Sequence, residues 1–311
     1  MAKKVKFRFR EVLSGRIPLW SSKGALGDDS LVLADESIPL AEIARASRVT
    51  HCRLVLTVDG QGMQEERLLS ISRGNARRLL NELNIRSSAS RASARQGQLA
   101  QSGGARSFRS AVCPFCHATI DLTDFDATSQ VYCSYCEALF TPDSEGRSEE
   151  QHYRLCPRCG FYARVMRMTS FYFLYVVFSS QERHECTGCL RKGAWGRLLA
   201  NIPCVLGAPV AAWQLMKIYR PSRLFRGLDR ANRLALAGKI DRAMEEYDLI
   251  LTELKASAGV RYNQALAMEM VGRTEEARKH LRLSLSDCAN YGPVLAEMGA
   301  GLRQIPHSGV S

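Results

Sequence analysis

The sequence lacks the short motifs that mark common catalytic sites. Its 23 glycines form no phosphate-binding loop, and its six histidines form no zinc-protease helix motif. No nucleophile elbow of the G-x-S-x-G type is present either. These absences favour a protein that is not an enzyme and has no small-molecule substrate.

The beginning of the chain also lacks the apolar run of a secretion signal. Charged and apolar residues alternate over its first ten positions instead. We therefore expect a cytoplasmic protein, in a reducing compartment where cysteines rarely form disulfides.

Acidic residues are in short supply relative to basic ones. The chain has 31 Asp and Glu against 43 Lys and Arg, so its formal net charge is +12. This balance favours nucleic acid, an anionic membrane surface or an acidic protein as partner, although many basic proteins bind none of these. The length of 311 residues and the hydrophobic fraction of 46% predict a folded chain of two or three domains.

Cysteine, by contrast, is plentiful and occurs mostly in pairs. The chain has 11 cysteines, and four Cys-x-x-Cys pairs contain all but three of them. Two thiolates at this spacing can turn their sulfurs to one point, and two such pairs form the closed four-sulfur site that structural zinc prefers. We therefore expect two zinc ions per chain. The expected ligands are Cys113, Cys116, Cys133, Cys136, Cys156, Cys159, Cys186 and Cys189.

The simplest pairing of these motifs is sequential. The first two pairs would then bind one ion and the last two the other, as in zinc ribbons. An interleaved pairing, first with third and second with fourth, is the alternative, because spacing does not determine connectivity. The composition of Thr141–Ser148 is typical of a hinge between two units, which favours the sequential pairing.

Other uses of the cysteines fit less well. The run Cys156–Gly160 also suits a rubredoxin-type iron centre, but zinc is the commoner occupant. Redox catalysis needs an exposed thiol at a helix start within a βαβ unit, and that pattern is absent. A closed site leaves no position for substrate, so the predicted metals are structural. Five nearby or isolated residues are expected to lie outside the ligand shells: His117, His184, Cys52, Cys204 and Cys288.

Residues 1–85 carry a period-two pattern that predicts strands. Val5, Phe7 and Phe9 alternate with basic residues, which we interpret as a solvated strand face: Lys4, Lys6, Arg8 and Arg10. Further strand candidates are Ser30–Ala34, Arg48–His51, Arg53–Val58 and Arg67–Ser72. A helix is predicted over Ala76–Leu83, with Leu79, Leu80 and Leu83 on one face.

This order of elements resembles a pleckstrin-homology-like barrel, whose closing helix follows its last strand. The resemblance implies a small antiparallel sheet that binds lipid or peptide. Residues 86–110 follow, built of Ser, Ala, Gly, Gln and Arg with hardly an apolar anchor. Burial there cannot offset the entropy of ordering, so the composition predicts a flexible linker open to proteolysis.

The second ribbon contains an unusual apolar run. Phe161–Met168 and Phe171–Phe178 are predicted strands joined near Thr169 and Ser170. The run Phe171–Phe178 is apolar on both faces, so one face must pack on a neighbouring domain or a membrane. Its lack of Arg and Lys argues against base stacking.

Residues 198–216 form an uncharged stretch with basic residues on both sides. Nineteen uncharged residues nearly span a bilayer, which predicts membrane association as one alternative. Pro203 and Pro209 free backbone groups that lipid cannot satisfy, so we favour a buried helix that caps the C-terminal domain.

The C-terminal region repeats itself with a 34-residue period. Ala237–Ala243 recurs as Val271–Ala277, and the small residues that align are Ala231 with Ala265, Gly238 with Gly272, and Ala243 with Ala277. The pattern is similar to tetratricopeptide repeats, in which small residues let two antiparallel helices approach. The resemblance implies binding of a protein partner. A closing helix is predicted near Pro293–Leu302.

The sequence therefore predicts a multi-domain α+β adaptor that is not an enzyme. One alternative is a nucleic-acid-binding protein with ribbon contacts at Arg158, Arg164 and Arg167. Another is a scaffold attached to a membrane through 198–216. The expected segments are a β-rich domain 1–85, a linker 86–110, ribbons 111–142 and 150–195, an apolar helix 198–218 and helical repeats 222–305.

Overall fold

The chain is a mixed α+β protein with two compact units. One unit is Met1–Phe125 with Cys133–Cys136, and the other is Asp126–Tyr132 with Glu137–Ser311. The computed structural model describes residues 4–12, 20–50, 52–60, 63–103, 107–142, 150–174, 177–192, 212–213, 215–216, 218–219 and 224–303. Most of the predicted hinge Thr141–Ser148 and most of 198–216 lie outside these residues.

The first unit is built on a seven-stranded antiparallel sheet. Its strands are β1 Val5–Glu11, β2 Ser22–Leu26, β3 Ser30–Leu33, β4 Glu36–Pro39, β5 Ile43–Thr50, β6 Arg53–Gly60 and β7 Met63–Ile71. They lie in the order β4-β3-β2-β1-β7-β6-β5, so β1 is central. A short 3-10 turn, Leu40–Glu42, joins the two edge strands β4 and β5.

Alternation along β1 places its apolar side chains in the core, as the sequence predicts. Val5, Phe7 and Phe9 are buried, and the basic residues between them are exposed. Strand β2 escapes sequence analysis because Gly24 interrupts its apolar pattern. A Cβ at Gly24 would lie 2.5 Å from the Phe7 ring, so the glycine makes room for a core aromatic residue.

Helix α1, Arg73–Ser102, corrects the prediction of a flexible linker from residue 86. The predicted helix Ala76–Leu83 is only its first part. Leu79 and Leu83 are buried against the sheet, and Ser87, Ser88 and Ala92 continue the buried face. These small residues allow close packing, so ordering here does not require large apolar side chains.

Two kinds of polar contact hold α1 in place. Asn84 accepts a hydrogen bond from the Ala46 N–H and donates one to the Ala46 carbonyl, both at 3.0 Å, so its amide pairs with edge strand β5 as another strand would. Further along, Arg91 pairs with Asp59 at 2.8 Å. The helix therefore covers a sheet edge as well as the core.

The cysteine-rich region contains short strands and one long hairpin. The strands are β8 Ser110–Val112, β9 Thr119–Asp121, β10 Val131–Tyr132, β11 Leu139–Phe140, β12 Tyr153–Leu155, β13 Tyr162–Leu174 and β14 Val177–Cys186. The predicted turn at Thr169 and Ser170 is wrong. These residues lie within β13, opposite Glu182 and Gln181 of β14.

The C-terminal part of the second unit, from residue 224 to 303, is helical. Its helices are α2 Leu228–Leu236, α3 Ile240–Leu254, α4 Ala258–Glu269, α5 Thr274–Asp287 and α6 Gly292–Arg303. The aligned alanines at 231, 243, 265 and 277 are buried between them, as expected for closely packed helices. Gly238 follows α2 and Gly272 follows α4, with φ of +73° and +76°. Each glycine therefore ends the first helix of a pair in a backbone conformation that favours glycine. No helix of the described residues is long and apolar enough to cross a membrane.

A single proline substitution distinguishes a helix from a flexible linker over residues 86–102. Ser93→Pro removes a helical hydrogen bond in mid-helix and should lower the stability of the first unit by about 3 kcal/mol. Ser93 is exposed, so Ser93→Ala should be neutral or slightly stabilising. Circular dichroism and thermal unfolding measure both. Equal behaviour of the two variants would contradict the helix.

Candidate metal centres

The first cysteine cluster lies in the first unit. Cys113 and Cys116 occupy the turn between β8 and β9, and Cys133 and Cys136 occupy the turn between β10 and β11. The Thr119 N–H donates to the Ser88 hydroxyl at 2.9 Å, which ties β9 to α1. Two tight turns therefore bring four thiols together on a supported hairpin.

The sulfur positions fit a tetrahedral metal. Sγ of Cys113 lies 3.6 Å from Sγ of Cys136, and Sγ of Cys116 lies 3.5 Å from Sγ of Cys133. A tetrahedron with metal–sulfur bonds of about 2.3 Å has edges of roughly 3.8 Å. A disulfide would need a separation of about 2 Å, so the thiols are arranged for a shared ion instead.

The second cluster, in the second unit, has the same construction. Cys156 and Cys159 lie in the turn between β12 and β13, while Cys186 ends β14 and Cys189 follows it. The Cys159 and Cys186 sulfurs are 3.7 Å apart, and those of Cys156 and Cys189 are 4.0 Å apart. The Cys186 N–H also donates to Sγ of Cys156 at 3.3 Å. The sequential grouping of the four pairs is therefore the one present in the structure.

Three of the four Cys-x-x-Cys turns share the same backbone conformation. The residue after the second cysteine has positive φ: 60° at His117, 63° at Glu137 and 75° at Gly160. This turn lets the N–H of that residue bond back to the first cysteine, as from His117 to the Cys113 carbonyl at 2.9 Å. This turn therefore points both sulfurs of a pair toward the same position.

Electrostatics make each cluster a cation site. Hydrogen bonds from Cys116 and the other two thiols lower the pKa of Cys113, whereas contact with Cys113 raises the pKa of Cys136. In the second cluster, hydrogen bonds from Cys159 and Cys186 lower the pKa of Cys156, and the pKa of Cys186 is raised. Four thiolates this close repel one another unless a cation neutralises them. Each cluster therefore suits a metal ion bound by four sulfurs.

The other residues singled out in the sequence do not join these clusters. His117 and His184 are exposed, and no histidine belongs to either described cluster. Cys288 is buried, which raises its pKa to about 12, while Cys52 is half-buried and Cys204 lies outside the described residues.

The three arginines considered for nucleic-acid contacts are not equivalent. Arg158 pairs with Glu185 at 3.2 Å, beside the second cluster. Arg164 lies opposite Tyr153 in the β12–β13 ladder and is half-buried. Arg167 belongs to β13, but its side chain lies outside the described part of the chain. They therefore form no described patch of free cations.

Asparagines of the helices hold the second ribbon by its main chain. Asn263 of α4 accepts from the Tyr162 N–H at 2.6 Å and donates to the Tyr162 carbonyl at 2.7 Å. Asn232 of α2 donates to the same carbonyl at 3.1 Å and accepts from the Tyr247 hydroxyl at 2.7 Å. All four residues are buried, so the network satisfies polar groups inside an apolar core.

A third asparagine repeats this contact at β10. Asn290, before α6, accepts from the Tyr132 N–H at 2.9 Å and donates to its carbonyl at 2.8 Å. The Tyr132 ring packs edge-on against Tyr291 at 5.3 Å between ring centres. The Tyr162 ring likewise packs edge-on against Phe225 at 6.0 Å between ring centres, so main-chain pairing and aromatic packing act together at Tyr132 and at Tyr162.

Sequence reasoning missed these tyrosines and asparagines. Asn232 and Asn263 are 31 positions apart, so they do not align in the 34-residue repeat. The one available signal was polar asparagine on helix faces that are otherwise apolar.

Comparison with known proteins gives no relative for this chain. It matches no protein-family model, no curated protein and no solved structure.

Metal analysis tests the two clusters and their pairing. Native mass spectrometry of the full chain should find two zinc ions, and Cys113→Ser with Cys116→Ser should leave one, because only one site loses ligands. The matched variant Cys288→Ser should keep both. Cys113→Ser with Cys156→Ser should weaken both sites against a chelator. If that variant kept one site at full strength, the sequential grouping would be wrong.

A glycine comparison tests how the second ribbon packs on α4. A Cβ at Gly259 would lie 2.4 Å from Cδ1 of Tyr162, so Gly259→Ala should destabilise the second unit by about 1–3 kcal/mol. Gly299 of α6 has nothing within 4 Å of its Cβ position, so Gly299→Ala should stabilise by about 0.5–1 kcal/mol. Thermal unfolding measures both. A neutral Gly259→Ala would contradict the packing of Tyr162.

Proposed function

We propose that the protein is a non-catalytic, zinc-stabilised adaptor of the cytoplasm that presents a surface to a protein partner. Two four-cysteine clusters support zinc, because sulfur-only tetrahedral sites are typical of structural zinc. Four sulfurs fill the coordination sphere, so neither ion would bind water or substrate. The metals then serve to hold the ribbons in shape.

We also propose that the helices are tetratricopeptide-like pairs and that the first unit is pleckstrin-homology-like. The 34-residue spacing, the buried alanines and the two glycines with positive φ support the first assignment. The seven-stranded sheet with its closing helix α1 supports the second. Each assignment implies binding rather than catalysis.

The observation that carries the adaptor function is that the helices already bind an extended strand. Asn263 pairs with both main-chain groups of Tyr162, and α2 and α4 both contact β13. A side-chain amide that pairs with main-chain N–H and C=O groups can hold an extended protein segment whatever its sequence. Because this face is occupied by the chain's own ribbon, a partner needs another apolar surface.

Helix α6, the last described helix, has an exposed apolar surface of this kind. Leu295 and Met298, one turn apart, are 38% and 39% exposed, while Val294 on the other side is buried. Terminal helices of repeat arrays usually present a polar outer face. We therefore assign the partner contact to Leu295 and Met298.

Quantitative affinity purification with paired variants tests this function. Leu295→Gln with Met298→Gln should remove a discrete set of co-purifying proteins that the wild-type chain retains. Leu249→Gln is the matched control, because Leu249 is also apolar and 64% exposed but lies on α3. Each variant should keep two zinc ions and the wild-type melting temperature, since these side chains are exposed. Identical partner sets in all variants, or none with the wild type, would reject the assignment.

A further inference from the structure

The outer face of the seven-stranded sheet is strongly basic along its central strand. Helix α1 packs with the buried side chains on the other face, so alternate residues of the β1 segment point away from the core. Residues two apart on a strand are separated by about 6.8 Å, and four cations therefore form a row of roughly 20 Å. All four are exposed: Lys4, Lys6, Arg8 and Arg10.

Neighbouring strands widen this row. Lys23 of β2 lies directly opposite Arg8. On the other side of β1, Ser70 of β7 pairs with both Arg10 and Arg53. Arg53 of β6 is thus two strand spacings, or about 10 Å, from Arg10. We call these six cations of the outer face the basic face: Lys4, Lys6, Arg8, Arg10, Lys23 and Arg53.

Acidic residues do not neutralise the basic face. None of its six cations forms an ion pair or a side-chain hydrogen bond with the part of the chain that the structure describes. On the same side of the described strands, Asp59 is already paired with Arg91, and Glu66 lies about 14 Å further along β7 than the end of the row. Asp29 and Asp35 lie in turns at the rim, and neither pairs with one of the six.

Cations in this arrangement repel one another. Like charges directly opposite each other on adjacent strands, such as Arg8 and Lys23, destabilise a sheet. Residues 1–125 have nineteen Lys and Arg against twelve Asp and Glu, so the rest of this region adds to the positive potential. A polyanion laid along β1 would relieve the repulsion.

An exposed tryptophan lies at one end of the row. Trp20 is 88% exposed, and it comes two residues before Ser22, which pairs with Phe9 next to Arg10. Its ring therefore packs against little of the described chain. Proteins that hold single-stranded nucleic acid combine cations, which contact the phosphates, with aromatic rings on which bases stack. The basic face and Trp20 supply both kinds of group.

Two other polyanions fit this surface less well. Interfacial binding to a membrane buries a continuous apolar surface. The large apolar side chains that the described part of the first unit exposes are Trp20 and Val112, which belong to different segments. A nucleic-acid duplex keeps its bases stacked, and its groove admits a helix or a two-stranded ribbon rather than a broad sheet face.

We propose that the basic face of the first unit binds single-stranded nucleic acid, with its six cations on the phosphates and a base stacked on Trp20. This site is separate from the ribbon arginines predicted from the sequence. It also does not depend on the protein contact assigned to α6, so either proposal can fail without the other.

Fluorescence anisotropy of the full, zinc-loaded chain with a labelled oligothymidine of about 12 nucleotides tests the charge contacts. If each of the six cations meets a phosphate, the logarithm of affinity should fall against the logarithm of salt concentration with a slope of about −4. Lys6→Ala with Arg8→Ala should lower the affinity by roughly fiftyfold at about 50 mM salt and flatten the slope by about 1.4. The matched control, Lys239→Ala with Arg242→Ala, removes the same charge from exposed positions of the second unit and should change neither value.

A second set of variants isolates the stacking contact. Trp20→Ala should lower the affinity by roughly fivefold or more and leave the salt slope unchanged, because the indole carries no charge. Trp20→Phe keeps an aromatic ring and should restore most of the affinity. Trp213→Ala is the matched control, since Trp213 is 53% exposed but belongs to the second unit.

Four results would overturn the proposal. They are no binding of the oligothymidine by the wild-type chain, equal losses in the two charge variants, unchanged affinity in Trp20→Ala, and equal or tighter binding of a duplex of the same length. Displacement of the oligothymidine by phosphatidylserine vesicles at equal charge would assign the basic face to a membrane instead. Each variant should keep the wild-type melting temperature, because the substituted side chains are exposed.

Discussion

Each ribbon depends on four cysteine sulfurs that meet at one point, where they could hold a metal ion. Strands β8 to β12 are two or three residues long, and such short pairs are not stable alone in water. Burial of Ile120 and Val131 adds little apolar core. Sulfurs 3.5–4.0 Å apart, held by turns with positive φ, supply the missing stabilisation only when a cation binds them. We therefore expect metal binding and folding to be one equilibrium in these segments.

The helices of the second unit depend on the ribbon in turn. Tyr153, Phe161 and Tyr162 belong to the same buried cluster as α2 to α5, so the ribbon supplies part of the helical core. If Tyr162 were withdrawn, the buried Asn263 side-chain oxygen and the buried Asn232 side-chain nitrogen would lose their hydrogen bonds to its main chain, which costs about 1–3 kcal/mol for each unsatisfied group. The face of α2 and α4 that contacts β13 is therefore already in use, which is why the proposed partner contact lies on α6 instead.

The sequence predicted the parts of this architecture that obey a short-range rule. Cysteine spacing located both clusters, alternation located β1, and the 34-residue period located the helices. It failed where burial depends on distant residues. Ser87 and Ser88 belong to a segment whose composition predicted a flexible linker, yet both are buried in α1. The hairpin turn was misplaced because polar Thr169 and Ser170 interrupt an apolar strand, and strand length there is set by pairing with β14. The hydrogen bonds that Asn232 and Asn263 make to the main chain of Tyr162 left one weak signal, polar asparagine on an otherwise apolar helix face.

Both four-cysteine clusters are proposed to be closed structural zinc sites. X-ray absorption at the zinc edge of the full chain measures this directly, because it reports the type, number and distance of the ligand atoms. The account predicts an average of four sulfur ligands at about 2.3 Å and no oxygen or nitrogen. A shell that contains oxygen or nitrogen would indicate an open site and contradict the non-catalytic role, and an iron edge in place of zinc would contradict the identity of the metal.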